Sequence, residues 1–164
     1  MWDVLKSKAD PLGRVLADRH YTRQSIGATL WTRPGYNFVL YYDDSKGAAL
    51  WCWWRPKWEA GVGRFDKLIA LECTMFRNES DALSSSLVRD AVSLLEHPLA
   101  EKYLKIERPY NLPLITGVSS KLTASRRGRN NLPGHCYREA GWKDFEHSKL
   151  GKADVWLILY PHYH

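Results

Sequence analysis

The sequence predicts an α/β fold: one domain built on a single mixed, largely antiparallel sheet with helices on both faces. Three observations carry this. A chain of 164 residues, 45% hydrophobic and 26% charged, fits one domain able to bury a core. Its middle alternates between short β-competent runs and turn signals, whereas residues 80–97 carry apolar positions at helical spacing. No internal repeat, low-complexity block or linker divides the chain, so residues 1–164 read as one unit.

Element by element, the first eighteen residues read as a short helical element broken at "ADPLG", with Leu12, Val15 and Leu16 on one face. "RHYTRQSIG" follows as a loop or an irregular helix. From Ala28 the pattern turns extended: "ATLWTR", "YNFVLYYDD" and "AALWCWWRP" read as strands. The "DDSKG" between the last two is a hairpin signal, with Gly47 expected to supply an unusual backbone angle. Leu68 to Phe76 is mostly apolar and β-competent, as a central strand requires. "SDALSSSLVRDAVSLLEH" places Leu83, Leu87, Val88, Ala91, Val92 and Leu95 on one helical stripe. Pro98 stops that helix or begins a new one. "PLITGVSS" is then a strand, "PGHCYREAG" a short helix closed by Gly141, and "ADVWLILYP" a final strand.

Charge and rings narrow the partners. A net charge of +6 favours an anionic partner, either nucleic acid or a phosphorylated cofactor. Eight tryptophans and nine tyrosines serve equally as core filler and as base-stacking platforms. The three cysteines, Cys52, Cys73 and Cys136, form no C-x-x-C pair, which argues against a disulfide framework or a zinc knuckle and for a reducing cytoplasm. "MWDVLKSKADPLG" lacks the apolar run of a signal peptide, and no apolar stretch is long enough to cross a bilayer. A cytoplasmic protein without a membrane partner is the expectation.

Several segments carry chemistry. In "FRNESDALSSSL" a strand runs into a helix N-terminus, where unpaired N–H groups and the helix dipole favour an anion. Ser84, Ser85 and Ser86 add hydroxyl donors and Arg89 adds charge, although one serine acting as an ordinary cap is the plainer use. His20 titrates near neutrality and can act as a base, Tyr21 can donate or stack, and Arg23 can hold a phosphate. Trp54 and Trp58 beside Arg55 and Lys57 form either core packing or a stacking edge on nucleic acid. Arg126, Arg127 and Arg129, separated by Gly128, make a cationic loop suited to DNA or to a donor's phosphates. Tyr137 can supply a proton, since a phenol with a pKa near 10 is neutral at pH 7. Cys136 lacks a clearly placed base, which argues against a nucleophilic thiol. The terminal His162 and His164 form an H-x-H pair too slight to predict a metal.

The order of elements, with Tyr137-Arg-Glu-Ala-Gly141-Trp142 at its end, resembles the GNAT-type N-acyltransferase fold. More narrowly, His20-Tyr21-Thr22-Arg23, "LWCWW", "CTMFRNE", "LSSSLVRDAV" and "LPGHCYREAGW" resemble a divergent phage-associated branch of DNA-modification proteins, the Mom-like branch. These phrases span most of the chain from residue 19 to 142. The resemblance implies a transferase acting on double-stranded DNA, adding an acyl or glycinamide-type group to the exocyclic amine of adenine and so protecting phage DNA from restriction. It implies that Tyr137 donates a proton to the leaving group, that His20 and Tyr21 shape the acceptor pocket, and that Arg23, Arg126, Arg127, Arg129 and Trp54 hold nucleic acid. Ser84 to Ser86 and Arg89 would bind the donor, acetyl-CoA or another activated acyl or aminoacyl species. The family's pyrophosphate signature Q/R-x-x-G-x-G/A is replaced here by the three serines, a change that also suits an aminoacyl ester on RNA. Ser119 and Ser120 stand where relatives carry an acidic residue. An acyl-CoA-dependent N-acetyltransferase of a small or protein amine, and a non-catalytic nucleic-acid-binding module, are the alternatives. The oligomeric state is open, with a homodimer among the options.

Overall fold

The computed structural model describes residues 2–5, 10–19, 32–64, 67–119, 132–145 and 155–161. The chain opens on a strand, β1 (Asp3–Leu5), rather than on the expected helix. Its side chains alternate: Trp2 and Val4 join the larger core and Leu5 the smaller one on the opposite sheet face. That period of two suits a strand, and the helix begins only after Asp10. The Asp10 carboxylate accepts from the Leu12 N–H at 2.9 Å, and Pro11 fills the first turn of α1 (Pro11–Asp18). α1 buries Gly13, Leu16 and Ala17, not the stripe expected from sequence: Leu12 and Val15 are each 54% exposed. Leu16 belongs to both stripes, and seating Ala17 against Val39, Leu50 and Met75 turns Leu12 and Val15 outward.

Strands β2 (Tyr36–Asp43) and β3 (Ala48–Arg55) form the expected hairpin, with Asp43 opposite Ala48. Asp44 organises the turn by accepting from the N–H groups of Lys46 at 2.9 Å and Gly47 at 3.1 Å. Gly47 is needed for closeness, not for a positive φ: a Cβ there would lie 2.3 Å from the Glu79 carbonyl oxygen. Of the expected strand "ATLWTR", the described Thr32 and Arg33 lie in irregular backbone. In β3, Trp51 and Trp53 share one face with Ala49, while Leu50 and Cys52 point to the other.

β4 (Leu71–Asn78) pairs antiparallel with β3, starting and ending later than the apolar run suggested. The crossover that follows holds α2 (Ser84–Ser93), a short 3-10 turn at Leu94–Glu96, and α3 (Pro98–Leu104). Leu87, Val88, Ala91 and Leu95 are fully buried as predicted, but Leu83 is 69% exposed because it lies at the cap, before the helix turns toward the sheet. Two indoles fix α2 on its face: Trp2 donates to the Leu87 carbonyl at 2.9 Å and Trp53 to that of Ala91 at 3.0 Å. Pro98 begins a helix, with His97 Nδ1 accepting from the Leu99 N–H at 3.1 Å.

β5 (Leu114–Val118) returns parallel to β4. α4 (His135–Glu139) follows, then β6 (Lys143–Phe145) and β7 (Val155–Leu159), both antiparallel to their neighbours. Among the described residues, seven strands lie in the order β1-β2-β3-β4-β5-β7-β6. β6 went unpredicted because "KDF" carries no apolar alternation and sits at the sheet edge. α2, α3 and α4 cover one face with the larger core, and α1 covers the other. Among the described residues, no helix is long and apolar enough to cross a membrane.

Candidate active site

The sheet opens at one place. β4 and β5 are paired only at Leu71–Leu114, Glu72–Ile115 and Cys73–Thr116. Beyond that, β4 continues to Asn78 on β3 while β5 continues to Val118 on β7, so the only parallel pair of the described sheet parts at its carboxyl ends. A bulge falls at the same point: Cys52 faces Met75 and Trp53 faces Cys73, which leaves Thr74 without a partner in either register. The extra residue bends β4 and increases its twist. Thr116 Oγ1 donates to the Cys73 carbonyl at 3.0 Å and pins the last pair before the breach. In open α/β sheets, ligands bind in the crevice beyond the carboxyl ends of parallel strands.

α4 lays Tyr137 over this breach. The phenol oxygen is 3.7 Å from Cys73 Sγ on β4, the residue whose carbonyl Thr116 on β5 holds. Its ring packs against Trp142, Trp51 and Phe76 at centroid distances of 5.3, 5.9 and 6.0 Å. The Tyr-x-x-x-Gly-Trp spacing has a mechanical meaning. The Tyr137 carbonyl accepts from the Trp142 N–H at 3.0 Å, and Gly141 at φ +95° allows the chain to turn there. At the other end Gly134 has φ +73°, and a Cβ would lie 2.5 Å from Leu157 Cδ1, so α4 sits tightly on β7. Arg138 donates to both carboxylate oxygens of Asp144, at 2.9 and 2.8 Å, and ties α4 to β6.

Burial sets the protonation of this cluster. It raises the Tyr137 phenol well above its ordinary value, and the neighbouring Cys73 and Cys136 thiols add to the rise. The phenol is therefore a held proton at neutral pH. Burial also raises the Cys73 thiol, and pushes Cys136 up to about 11. Neither thiol is a ready nucleophile, in line with the sequence reading of Cys136.

The residues expected to bind the donor lie at the start of α2. Asn78 stitches the turn from β4 into α2: its amide donates to the Ala82 carbonyl at 2.7 Å and to Ser84 Oγ at 2.9 Å, and its oxygen accepts from the Ser80 N–H at 3.0 Å. Leu83 occupies the cap position and no side chain caps the helix. Of the three serines, Ser85 is buried, while Ser84 and Ser86 are half-buried. Arg89 is not turned toward this end: its guanidinium donates to the Glu139 carbonyl at the close of α4.

The tryptophan edge proposed for nucleic acid is corrected by the structure. Trp54 is 7% exposed, its indole donates to the Pro34 carbonyl at 3.0 Å, and the Arg33 guanidinium lies 5.0 Å from its ring centroid. Arg55, 1% exposed, donates to the carbonyls of Leu104, Lys105 and Pro56 and lies over the Tyr36 and Trp58 rings. The end of β3 spends these groups on joining β2 to α3, so they hold no phosphate. His20, Tyr21, Arg23, Ser120, Arg126, Arg127, Arg129, His162 and His164 lie outside the described residues. Among the described residues, no group of three His, Cys, Asp or Glu could hold a metal ion.

Sequence reasoning passed over two clusters. Glu72, one residue before Cys73, is buried on the opposite sheet face between Arg64 and Arg33, the latter at 2.8 Å. At the far end of β4, Glu79 joins Arg77 and Arg19. The phrase "CTMFRNE" held the signal for the second cluster, since an Arg and a Glu two apart in a strand share a face. No protein-family model matches this chain, and no curated protein or solved structure matches it either.

Proposed function

We propose that the chain is a GNAT-like transferase of the Mom-like kind, adding an acyl or glycinamide-type group to the exocyclic amine of adenine in DNA. One observation carries the catalytic part. The parting of β4 from β5, the bulge at Thr74 and the Tyr137 hydroxyl all meet beside Cys73. A breach of this kind admits an extended ligand between two strands. Tyr137 holds a proton for a leaving group, and its neutral environment keeps that proton in place. The exocyclic amine of a stacked adenine is out of reach, so the base is flipped into the breach. His20 and Tyr21 shape the acceptor pocket, and Arg23 with Arg126, Arg127 and Arg129 hold the DNA backbone.

The residues fit a coenzyme A-type donor in part. The N-terminus of α2 lacks a side-chain cap, which suits an anion, but the glycines of the usual cradle are absent and Asn78 engages Ser84. Ser84, Ser85 and Ser86 remain the donor-side residues of this reading; Arg89 serves it by joining α2 to α4. Such a donor supplies an activated acyl carbon.

A second reading is favoured by the withdrawal of Trp54 and Arg55 into the fold, which removes part of the basic aromatic surface expected to face DNA. That reading is an acyl-CoA-dependent N-acetyltransferase of a small or protein amine. Calorimetry with acetyl-CoA and, separately, with a double-stranded oligonucleotide tests the proposal. DNA binding that weakens with salt supports the leading reading, whereas acetyl-CoA binding without DNA binding supports the second.

A further inference from the structure

The Tyr137 ring and the Tyr137 hydroxyl are held by different neighbours. Trp142, Trp51 and Phe76 pack on the ring at centroid distances of 5.3, 5.9 and 6.0 Å and fix its plane. Ring packing leaves the hydroxyl free to turn about its own C–O bond, so a polar neighbour decides where its proton points. Among the described residues that neighbour is Cys73 Sγ at 3.7 Å, in a buried contact. Cys73 and Tyr137 are 3% and 6% exposed, which leaves water little access to either group.

Cys73 is also firmly anchored at the breach. It pairs with Trp53 of β3 and with Thr116 of β5, whereas the next residue, Thr74, pairs with neither. It is therefore the last position of β4 held from both sides. Thr116 Oγ1 adds a buried hydrogen bond to the Cys73 carbonyl at 3.0 Å. A thiol is a weak donor and a weak acceptor. It gives the phenol a direction without trapping its proton, as a carboxylate in the same place would. Burial keeps the thiol itself protonated at neutral pH, so it can donate as well as accept.

We propose that Cys73 is a positioning residue: from the last doubly paired position of β4 it aims the Tyr137 hydroxyl beside the breach. This inference rests on the transferase reading, in which Tyr137 gives its proton to the leaving group. In that step the phenol O–H bond breaks and the proton bonds to the leaving atom of the acyl donor. The bonding pair stays on the phenol oxygen, which then accepts from the Cys73 S–H; the thiol keeps its proton. Such a transfer needs placement to within about 1 Å, and an error of that size costs about a hundredfold.

The test uses the full chain with Cys73→Ala, which removes the contact, and Cys73→Ser, which keeps a hydrogen-bonding group on the same carbon. Modified deoxyadenosine is counted per unit of folded protein in DNA from expressing cells. The Tyr137 ring-carbon resonance is followed in tyrosine-labelled protein and identified by its absence from Tyr137→Phe. For Cys73→Ala we expect modification to fall by tenfold to about a hundredfold and the resonance to shift, with Cys73→Ser recovering part of both. A cysteine that only fills the core predicts the reverse order, because an apolar site accepts Ala more readily than a buried hydroxyl. Modification by Cys73→Ala at or above that by Cys73→Ser therefore overturns the positioning role. Full modification despite a shifted resonance does the same, and an unmoved resonance in folded Cys73→Ala overturns the contact itself. If the wild-type chain modifies no DNA, the transferase reading fails and the inference falls with it. Wild type and Cys73→Ala modifying DNA equally well overturns the inference alone. Should Cys73→Ala not fold, Cys73→Val, which refills the volume and also lacks a hydrogen-bonding group, is read against the same outcomes.

Discussion

Replacing Tyr137 with Phe separates a catalytic phenol from a structural one. The substitution keeps the ring and its packing on Trp51, Phe76 and Trp142 and removes one oxygen. Among the described residues that oxygen's hydrogen-bond partner is a thiol at 3.7 Å, so its loss costs stability on the order of 1 kcal/mol. A domain stable by about 5 kcal/mol or more remains almost wholly folded after such a loss. Removing a proton donor from a transition state instead costs roughly 10²- to 10⁴-fold in rate, or about 3–5 kcal/mol of barrier. The two effects differ enough to be read apart. Thermal melting should show a shift of a few degrees, while modified deoxyadenosine in DNA from cells expressing the variant should fall at least about a hundredfold. A Tyr137→Phe chain that melts like the wild type and modifies DNA equally well refutes the proton-donor role.

Other expectations follow from the same contacts. Asn78→Ala removes the bonds to Ala82, Ser80 and Ser84 at the β4–α2 turn, and should lower stability by about 1–3 kcal/mol in a denaturant titration while weakening donor binding by calorimetry. Arg55→Ala strips two buried carbonyls and one part-buried carbonyl of their donor and should cost about 3 kcal/mol or more, with the salt dependence of DNA binding unaltered; a shallower salt slope would return Arg55 to the nucleic-acid surface. Alkaline pH should destabilise the fold. The Cys136 thiol is pushed up to about 11 from 9.0, so between those values the unfolded chain releases a proton that the native chain keeps, and stability falls as pH rises. Two pH units correspond to about 2–3 kcal/mol at full effect. Cys136→Ser should flatten that part of the decline, leaving the part contributed by Cys73 and Tyr137, which burial also raises.

The fold was legible wherever local pattern and tertiary need agree. The β2–β3 hairpin, the α2 stripe from Leu87 to Leu95, and the closure of α4 at Gly141 are such places. It was illegible where the partner decides. Val4 and Leu5 are a strand because β2 offers an edge, Leu12 and Val15 face outward because Ala17 seats on the sheet, and "KDF" pairs only because β7 lies beside it. In the site, Tyr137 could be named from its spacing to Gly141, but its burial over the β4–β5 breach depends on a bulge with no sequence mark. Arg55 misled because a buried arginine and a phosphate-binding arginine look alike until its three carbonyl acceptors are seen. Arg77 and Glu79 stood in a noted phrase, yet their contacts with Arg19 bridge 58 and 60 positions of chain and leave no local mark in the sequence.

Mass spectrometry of nucleosides from DNA of cells expressing the wild-type chain tests the central claim most directly. The transferase reading predicts a deoxyadenosine of raised mass, present with the wild type and nearly lost with Tyr137→Phe. A nucleoside profile identical to that of cells lacking the protein contradicts it.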